Sequence, residues 1–198
     1  MILKREVQLE KTHRAILDEA QRLFLTKGYQ DTLTRDIAKA VGITQPALYH
    51  HFADKEVIFI EVITSVGETI RERLTAVNEM GQDLTPEDHL IKMSQVLTDV
   101  HPRDVFTIIH SSFAYLKPEN MQKLGMVFGR DYLAPIAAFF STPKVKLRAG
   151  ITPEEAGEFY MTSLSPLFSK FHRLGGKKLT DEEHVHLLID LILHGLIE

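Results

Sequence analysis

The sequence predicts an all-α protein of about nine helices, and three observations predict it. Apolar residues recur three and four apart through nearly every long stretch. Helix-start signals stand at Thr85-Pro86-Glu87-Asp88, Thr152-Pro153-Glu154-Glu155 and Thr180-Asp181-Glu182-Glu183, each an N-cap followed by acids near the positive end of a helix dipole. No stretch alternates apolar and polar residues as a half-buried strand would, and no internal repeat appears.

The chain of 198 residues, 44% of them hydrophobic, with mean hydropathy −0.08, is long enough to bury a substantial core. It is expected to divide into a small domain, residues 1–55, and a larger one, residues 56–198. No apolar run reaches the ~18 residues that span a bilayer. The opening MILKREVQLEK has no continuous apolar segment of the signal-peptide kind, so the cytoplasm is the expected location. With no cysteine in the chain, disulfides, thiolate metal sites and a cysteine nucleophile are excluded. The net charge of −4 is unevenly placed. Residues 1–60 carry 9 Lys and Arg against 8 Asp and Glu, whereas the remainder carries 14 against 19. Any polyanion would meet a few placed cations rather than a basic coat.

Thr12 to Lys27 is predicted as an amphipathic helix with Ile16, Ala20, Leu23 and Phe24 on one face and Gly28 as its stop. Lys4, Arg5, Lys11 and Arg14 add positive charge around its start, with Lys4 and Arg5 expected in a solvated, frayed stretch. Tyr29 is expected to fill the gap to the next helix. Thr32 is one N-cap for that helix and Thr34 the rival.

Thr34 to Val41 then repeats Ile37, Ala38 and Val41 on one face, and Gly42 ends it in a position where positive φ costs nothing. Thr44 caps a second helix with Pro46 in its first turn. Leu48 and Phe52 form its apolar side, while Gln45, Ala47, Tyr49, His50 and His51 face outward. Helix, glycine turn and second helix is the arrangement that lets a second helix enter a major groove. Two short helices joined by glycine are common without nucleic acid. The outward Gln, Tyr and paired His, which suit phosphates and base edges, separate this pair from an ordinary one.

Asp54 opens a longer helix to about Val77, with Phe59, Val62, Ile63, Val66, Ile70, Leu74 and Val77 at helical spacing. At ~24 residues it is ~36 Å long, enough for a strut and for a lever. After a turn over Gly81 to Leu84, the Thr85 signal opens a helix carrying Leu90, Ile91, Met93, Val96, Leu97 and Val100, which His101-Pro102 breaks. Asp104 to Leu116 is a strongly apolar helix, in which His110 is expected as a hydrogen-bonded core residue rather than an axial ligand. Glu119 to Phe140 is helical with one break or kink among Gly125, Gly129 and Pro135. Ser141 to Gly150 is a loop. Thr152 opens a helix to about Leu174, kinked near Pro166, and Thr180 opens the last one through Leu187, Leu188, Leu191, Ile192, Leu196 and Ile197.

The last two helices keep apolar positions that a second copy would cover as a four-helix interface. His186, Asp190 and His194 fall four apart on one face, a geometry that could hold a divalent ion. The same face is predicted near the dimer seam, and no metal or other cofactor is expected. No glycine-rich phosphate loop, Gly-x-Ser-x-Gly elbow or His-Glu-x-x-His pair is present. A helical enzyme, or a small-molecule-binding protein without DNA binding, stands as the alternative reading.

Gly28-Tyr29, Thr34-Arg35-Asp36-Ile37-Ala38, Gly42-Ile43-Thr44 and the run Ala47-Leu48-Tyr49-His50-His51-Phe52-Ala53-Asp54-Lys55-Glu56 together resemble the N-terminal domain of TetR-family regulators. The resemblance covers about a quarter of the chain; beyond about Ile60 it is one of architecture and length. It implies a three-helix helix-turn-helix domain followed by a helical effector-binding and dimerisation domain, and a homodimeric transcriptional regulator, most often a repressor. It also implies that Arg35, Thr44, Gln45, Pro46 and Ala47 face base edges of double-stranded operator DNA, and that Thr34, Tyr49, His50, His51 and Lys55 hold phosphates. Arg35 would reach guanine and Gln45 adenine by paired hydrogen bonds. Where relatives often have Gly or Thr, Ala47 offers only contact with a thymine methyl. For a small-molecule effector, Met93, Leu97, Phe106, Ile109, His110, Phe113, Met126, Phe128, Tyr132, Phe139 and Phe159 come from helices expected to surround a cavity, whose Phe and Met lining favours a largely apolar or aromatic ligand. An activator, or a regulator without a small ligand, remains the alternative.

Overall fold

A computed structural model of the chain describes residues 2–101, 105–168 and 179–197. The helices among them are α1 (Ile2–Lys27), α2 (Thr34–Val41), α3 (Gln45–Tyr49), α4 (Lys55–Met80), α5 (Pro86–Val100), α6 (Val105–Ser112), α7 (Pro118–Phe128), α8 (Ala134–Phe140), α9 (Pro153–Ser163) and α10 (Asp181–Leu196). The fold is all-α, as expected, and the only pairing of extended backbone among the described residues is a single bridge between Leu147 and Ile197. No described helix is long and apolar enough to cross a membrane.

The chain forms two compact units, Met1–Val66 with Thr107–Gly125, and Gly67–Phe106 with Met126–Glu198. In the first, α1 begins at Ile2 rather than near Thr12. Leu, Lys, Arg, Glu and Gln favour helix even where nothing is buried, so α1 projects a solvated first part, with Val7 and Leu9 exposed. Thr12 caps nothing; its hydroxyl donates back to the Gln8 carbonyl at 3.0 Å. The buried stripe is the predicted one, with Ile16, Ala20, Leu23 and Phe24 packed inside. Tyr29, expected between α1 and α2, instead packs between α1 and α4: its ring lies 4.8 Å from that of Phe59, which meets Phe24 edge-on at 5.0 Å. Neither Thr32 nor Thr34 caps α2; the cap position is Leu33 and has no side-chain cap bond. The Thr32 hydroxyl instead donates to the Gly28 carbonyl at 2.8 Å.

Asp54 does open α4, accepting from Val57 N at 2.9 Å. Beside it, the buried Glu56 carboxylate accepts from Lys117 N at 2.6 Å and from Asn120 Nδ2 at 2.8 Å. This ties the start of α7 to the first turn of α4. The apolar stretch after Val105 is shorter as α-helix than expected, ending at Ser112 and tightening to a 3₁₀ turn over Phe113–Tyr115. His110 is exposed, not a core residue, with its ring 5.4 Å from Phe113.

In the second unit, α8 packs on α9 and α10 packs on α5 and α9. All three Thr start signals form: Thr85 accepts from Asp88 N, and Thr152 and Thr180 complete capping boxes with Glu155 and Glu183. Those bonds hold both glutamates below the usual carboxylate range. The expected break between Glu119 and Phe140 is a π-helical turn, Gly129–Leu133, from which α8 continues directly with Pro135 in its first turn. After α9 the helix ends at Ser163 and a 3₁₀ turn covers Ser165–Phe168, instead of a kinked helix through Pro166. The rest of that expected helix, and its stop at Gly175-Gly176, lie outside the described residues.

The interior of this unit is apolar but cross-linked by polar groups. Tyr160 is fully buried; its hydroxyl lies 2.7 Å from Ser94 Oγ and donates to the Leu90 carbonyl at 3.0 Å, and burial pushes the phenol above its ordinary range. Asp131, also fully buried, accepts from Arg71 at 3.0 Å and from Arg130 at 2.6 and 2.7 Å. Gly67 of α4 lies against this carboxylate: a methyl group there would meet Asp131 Oδ2 and Val127 Cγ1, each at 2.8 Å. Overpacking of that kind costs about 1–3 kcal/mol. Gly67→Ala is therefore expected to lower unfolding free energy by about that amount, measured by urea denaturation, and an unchanged midpoint would show that α4 and the π-turn do not pack this closely.

Candidate nucleic-acid interface

The two short helices meet through a turn that the backbone dictates. Gly42 adopts φ 78°, ψ 28°, and its N–H with that of Ile43 returns to the last carbonyls of α2. Thr44 then accepts from Ala47 N at 3.3 Å and starts α3. As an α-helix α3 covers only Gln45–Tyr49, less than the predicted second helix, but Phe52 N still donates to the Leu48 carbonyl at 3.1 Å and carries the coil on. Leu48 and Phe52 are buried as predicted. Gln45, Pro46, Tyr49 and His50 are exposed, and Ala47 and His51 are half-buried.

Three of the predicted residues are joined to each other. Thr34 is almost fully buried, and its Oγ1 lies 3.1 Å from Tyr49 OH and accepts from Gln45 Nε2 at 3.0 Å. That pair of bonds sets α3 against the start of α2. Arg35 is exposed, its guanidinium 3.8 Å from Asp36. Leu33, Thr34, Arg35, Gln45, Tyr49 and Lys55 line a shallow hollow of about 490 Å³ with two cations and no carboxylate.

Lys55 is more confined than a free phosphate ligand would be. Its ammonium donates to the Tyr29 carbonyl at 2.8 Å and the Thr32 carbonyl at 3.1 Å, and lies 4.2 Å from the centre of the Tyr29 ring. It thus closes the loop between α1 and α2. Burial lowers its pKa, which Asp31 partly offsets. The Tyr29 phenol is pushed up to about 12, first by burial and then by Glu56 and Asp54.

His13 and Glu61, which meet at this surface, escaped the sequence reading. His13 Nε2 lies 2.9 Å from Glu61 Oε1, and its ring stacks on Phe52 at 4.4 Å, behind α3. A signal existed, since His13 stands three before Ile16 and seven before Ala20, on the buried face of α1. His51, 6.1 Å from His13, has its pKa lowered by burial, then by His13 and His50.

The residues expected around an effector fall in both units. Met93, Leu97, Tyr132 and Phe139 are buried in the second unit, where Phe128 is half-buried; Ile109 is buried, Phe113 half-buried and His110 exposed in the first. Met126 and Phe159 are exposed, and the side chain of Phe106 lies outside the described residues. Tyr132 is held by His101 Nε2, 3.0 Å from its hydroxyl. Of the histidines on α10, His186 pairs with Glu87 at 3.2 Å and His194 with Asp190 at 3.1 Å, and no group of three metal-ligating side chains forms among the described residues.

A glycine turn between two helices, the second shorter and presenting polar side chains over a buried Leu and Phe, is a helix-turn-helix unit of the kind found in bacterial DNA-binding regulators. Residues 16–62 match the family model described as bacterial regulatory proteins, tetR family. The regulator AcrR of Shigella flexneri is 42% identical over 62 residues, 31% of this chain and 29% of AcrR. The probable regulator ArpR of Pseudomonas putida is 26% identical over 115 residues, 56% of this chain and 54% of ArpR. The chain thus spans about half or less of the length of these curated relatives. The fold resembles that of a putative transcriptional regulator from Saccharomonospora viridis solved in complex with choline, with TM-score 0.68 at 21% identity, covering 96% of this chain and 99% of that one.

The lowered pKa of His51 has a checkable sign. A base whose folded pKa is depressed contributes stability above its unfolded value, ~6.5, that is lost as pH falls through the folded value. Melting temperature is expected to fall as pH drops below ~6.5, and the fall to be smaller in His51→Gln; equal falls in both proteins would remove His51 from the account.

Proposed function

We propose that the chain is a homodimeric, sequence-specific DNA-binding transcriptional regulator, and that it acts as a repressor released from its operator by a small, largely apolar ligand. One observation carries the reading: α3 and the turn that follows it bury Leu48 and Phe52 while leaving Gln45, Tyr49 and His50 on an exposed ridge. Gln45, Arg35, Thr44, Pro46 and Ala47 are assigned to base edges, and Tyr49, His50 and His51 to phosphates. Thr34 acts through Gln45 and Tyr49, which it holds. Lys55 keeps one N–H beyond the two given to carbonyls, enough for one phosphate oxygen.

Dimerisation supports this reading, because two copies related by a twofold axis present two ridges to successive turns of a duplex. Phe159 on α9 and Leu191 on α10 remain about half exposed in the single chain, at 48% and 53%. They are the apolar positions a second copy would cover. The ligand would act by favouring a form of the dimer whose ridges are wrongly spaced for DNA.

A gel shift against the DNA flanking its own gene tests the whole reading: specific retardation is expected, and its absence rejects it. Gln45→Ala is expected to flatten preference at one base pair by about 1–3 kcal/mol, whereas equal weakening on every sequence would refute base reading by Gln45. Leu191→Glu is expected to convert the dimer to monomer in sedimentation and to weaken operator binding. A variant that sediments as wild type would place the seam elsewhere.

A further inference from the structure

The second unit contains a hollow of about 370 Å³ between the end of α4, the start of α5 and the end of α8, a size within the range of small-molecule pockets. Of the residues expected around an effector, only Phe139 lines it. Its most informative group is His89, 6% exposed, whose ring lies 4.7 Å from that of Phe139.

The hydrogen-bond chain around His89 determines where its proton sits. Asn78 Nδ2 donates to the Pro135 carbonyl at 2.8 Å, and a carbonyl can only accept. Asn78 therefore turns Oδ1 to His89, whose Nε2 lies 2.9 Å away and must carry the hydrogen. In the neutral ring Nδ1 is then a bare acceptor, consistent with the lowering of the His89 pKa by burial and then by Lys144. No described group donates to Nδ1. It lies instead against Gly81, also in the wall of the hollow, where a methyl group would approach it to 2.5 Å. The one formal charge in the lining is the Lys144 ammonium, which also reaches the Leu84 carbonyl at 3.3 Å; no carboxylate lines the hollow.

We propose that this hollow binds a small aromatic carboxylate bearing a hydroxyl or N–H. The donor meets His89 Nδ1, the ring packs on Phe139, and the carboxylate faces Lys144. An acceptor desolvated and left without a donor is costly, so ligands that lack the donor are disfavoured. The proposal rests on the reading that the chain responds to a small ligand, and it gives that ligand a chemical class and a place.

The test is calorimetric titration of the full chain with the three isomeric hydroxybenzoates and their three methyl ethers. At least one hydroxybenzoate is expected to bind, with its ether about tenfold weaker or more. Lys144→Gln, a change at an exposed side chain, is expected to weaken the hydroxy acid severalfold, and Gly81→Ala to remove the preference for hydroxyl over ether. Failure of all three hydroxybenzoates to bind wild-type protein overturns the site, as does an ether bound as tightly as its parent acid. The ether comparison needs no variant and so does not depend on Gly81→Ala folding. Operator binding without added ligand is measured in parallel: a chain that retards DNA but takes no hydroxybenzoate loses this site and keeps the regulator reading, while selective hydroxybenzoate binding by a chain indifferent to DNA keeps the site alone.

Discussion

The helix that presents the ridge cannot stand by itself. An isolated helix needs roughly 12–15 residues to be even marginal in water, and α3 has five. Its shape is imposed by the burial of Leu48 and Phe52, both under 4% exposed, with α3 packed on α2 and Phe52 stacked on His13 of α1. Burying two such side chains contributes on the order of 3–6 kcal/mol, more than any polar contact at the surface. Everything else at this face depends on that anchoring: the Thr34 bonds fix rotation, Lys55 fixes the loop behind, and His13 fills the space under Phe52.

How far this was legible in the sequence depends on how local the cause is. Thr44, Thr85, Thr152 and Thr180 were readable as caps because a hydroxyl and an N–H three residues later are neighbours by chain geometry. The helix-turn-helix boundaries followed from Gly42 and the apolar spacing for the same reason. Leu33 as the cap of α2 was not readable, since the rival threonines were drawn off by partners beyond the cap, Thr32 by the Gly28 carbonyl and Thr34 by Tyr49. The resemblance implies a phosphate contact for Lys55 and says nothing of what else holds its ammonium. Its attachment to carbonyls 23 and 26 residues earlier is a tertiary fact.

The second unit shows the limit more sharply. Aromatic residues at helical spacing read equally well as core and as cavity lining. What separates them is polar partnership invisible along the chain: Tyr132 is engaged by His101, and Tyr160 by Ser94 and Leu90. Met126 and Phe159 come from the same apolar helices but are 60% and 48% exposed.

The bond from Gln45 to Thr34 carries a consequence for discrimination among sequences. In the free protein one N–H of the Gln45 amide is engaged by Thr34 while the second N–H and the oxygen are open; under the proposed base-reading role, turning the amide wholly toward a base would give up an intramolecular bond of about 1 kcal/mol, roughly fivefold in affinity. A matching base replaces what is lost; a mismatched one does not. On the proposed reading the latched amide would set a threshold against random duplex, and selectivity would be built as much into the resting conformation of the side chain as into the contact it finally makes.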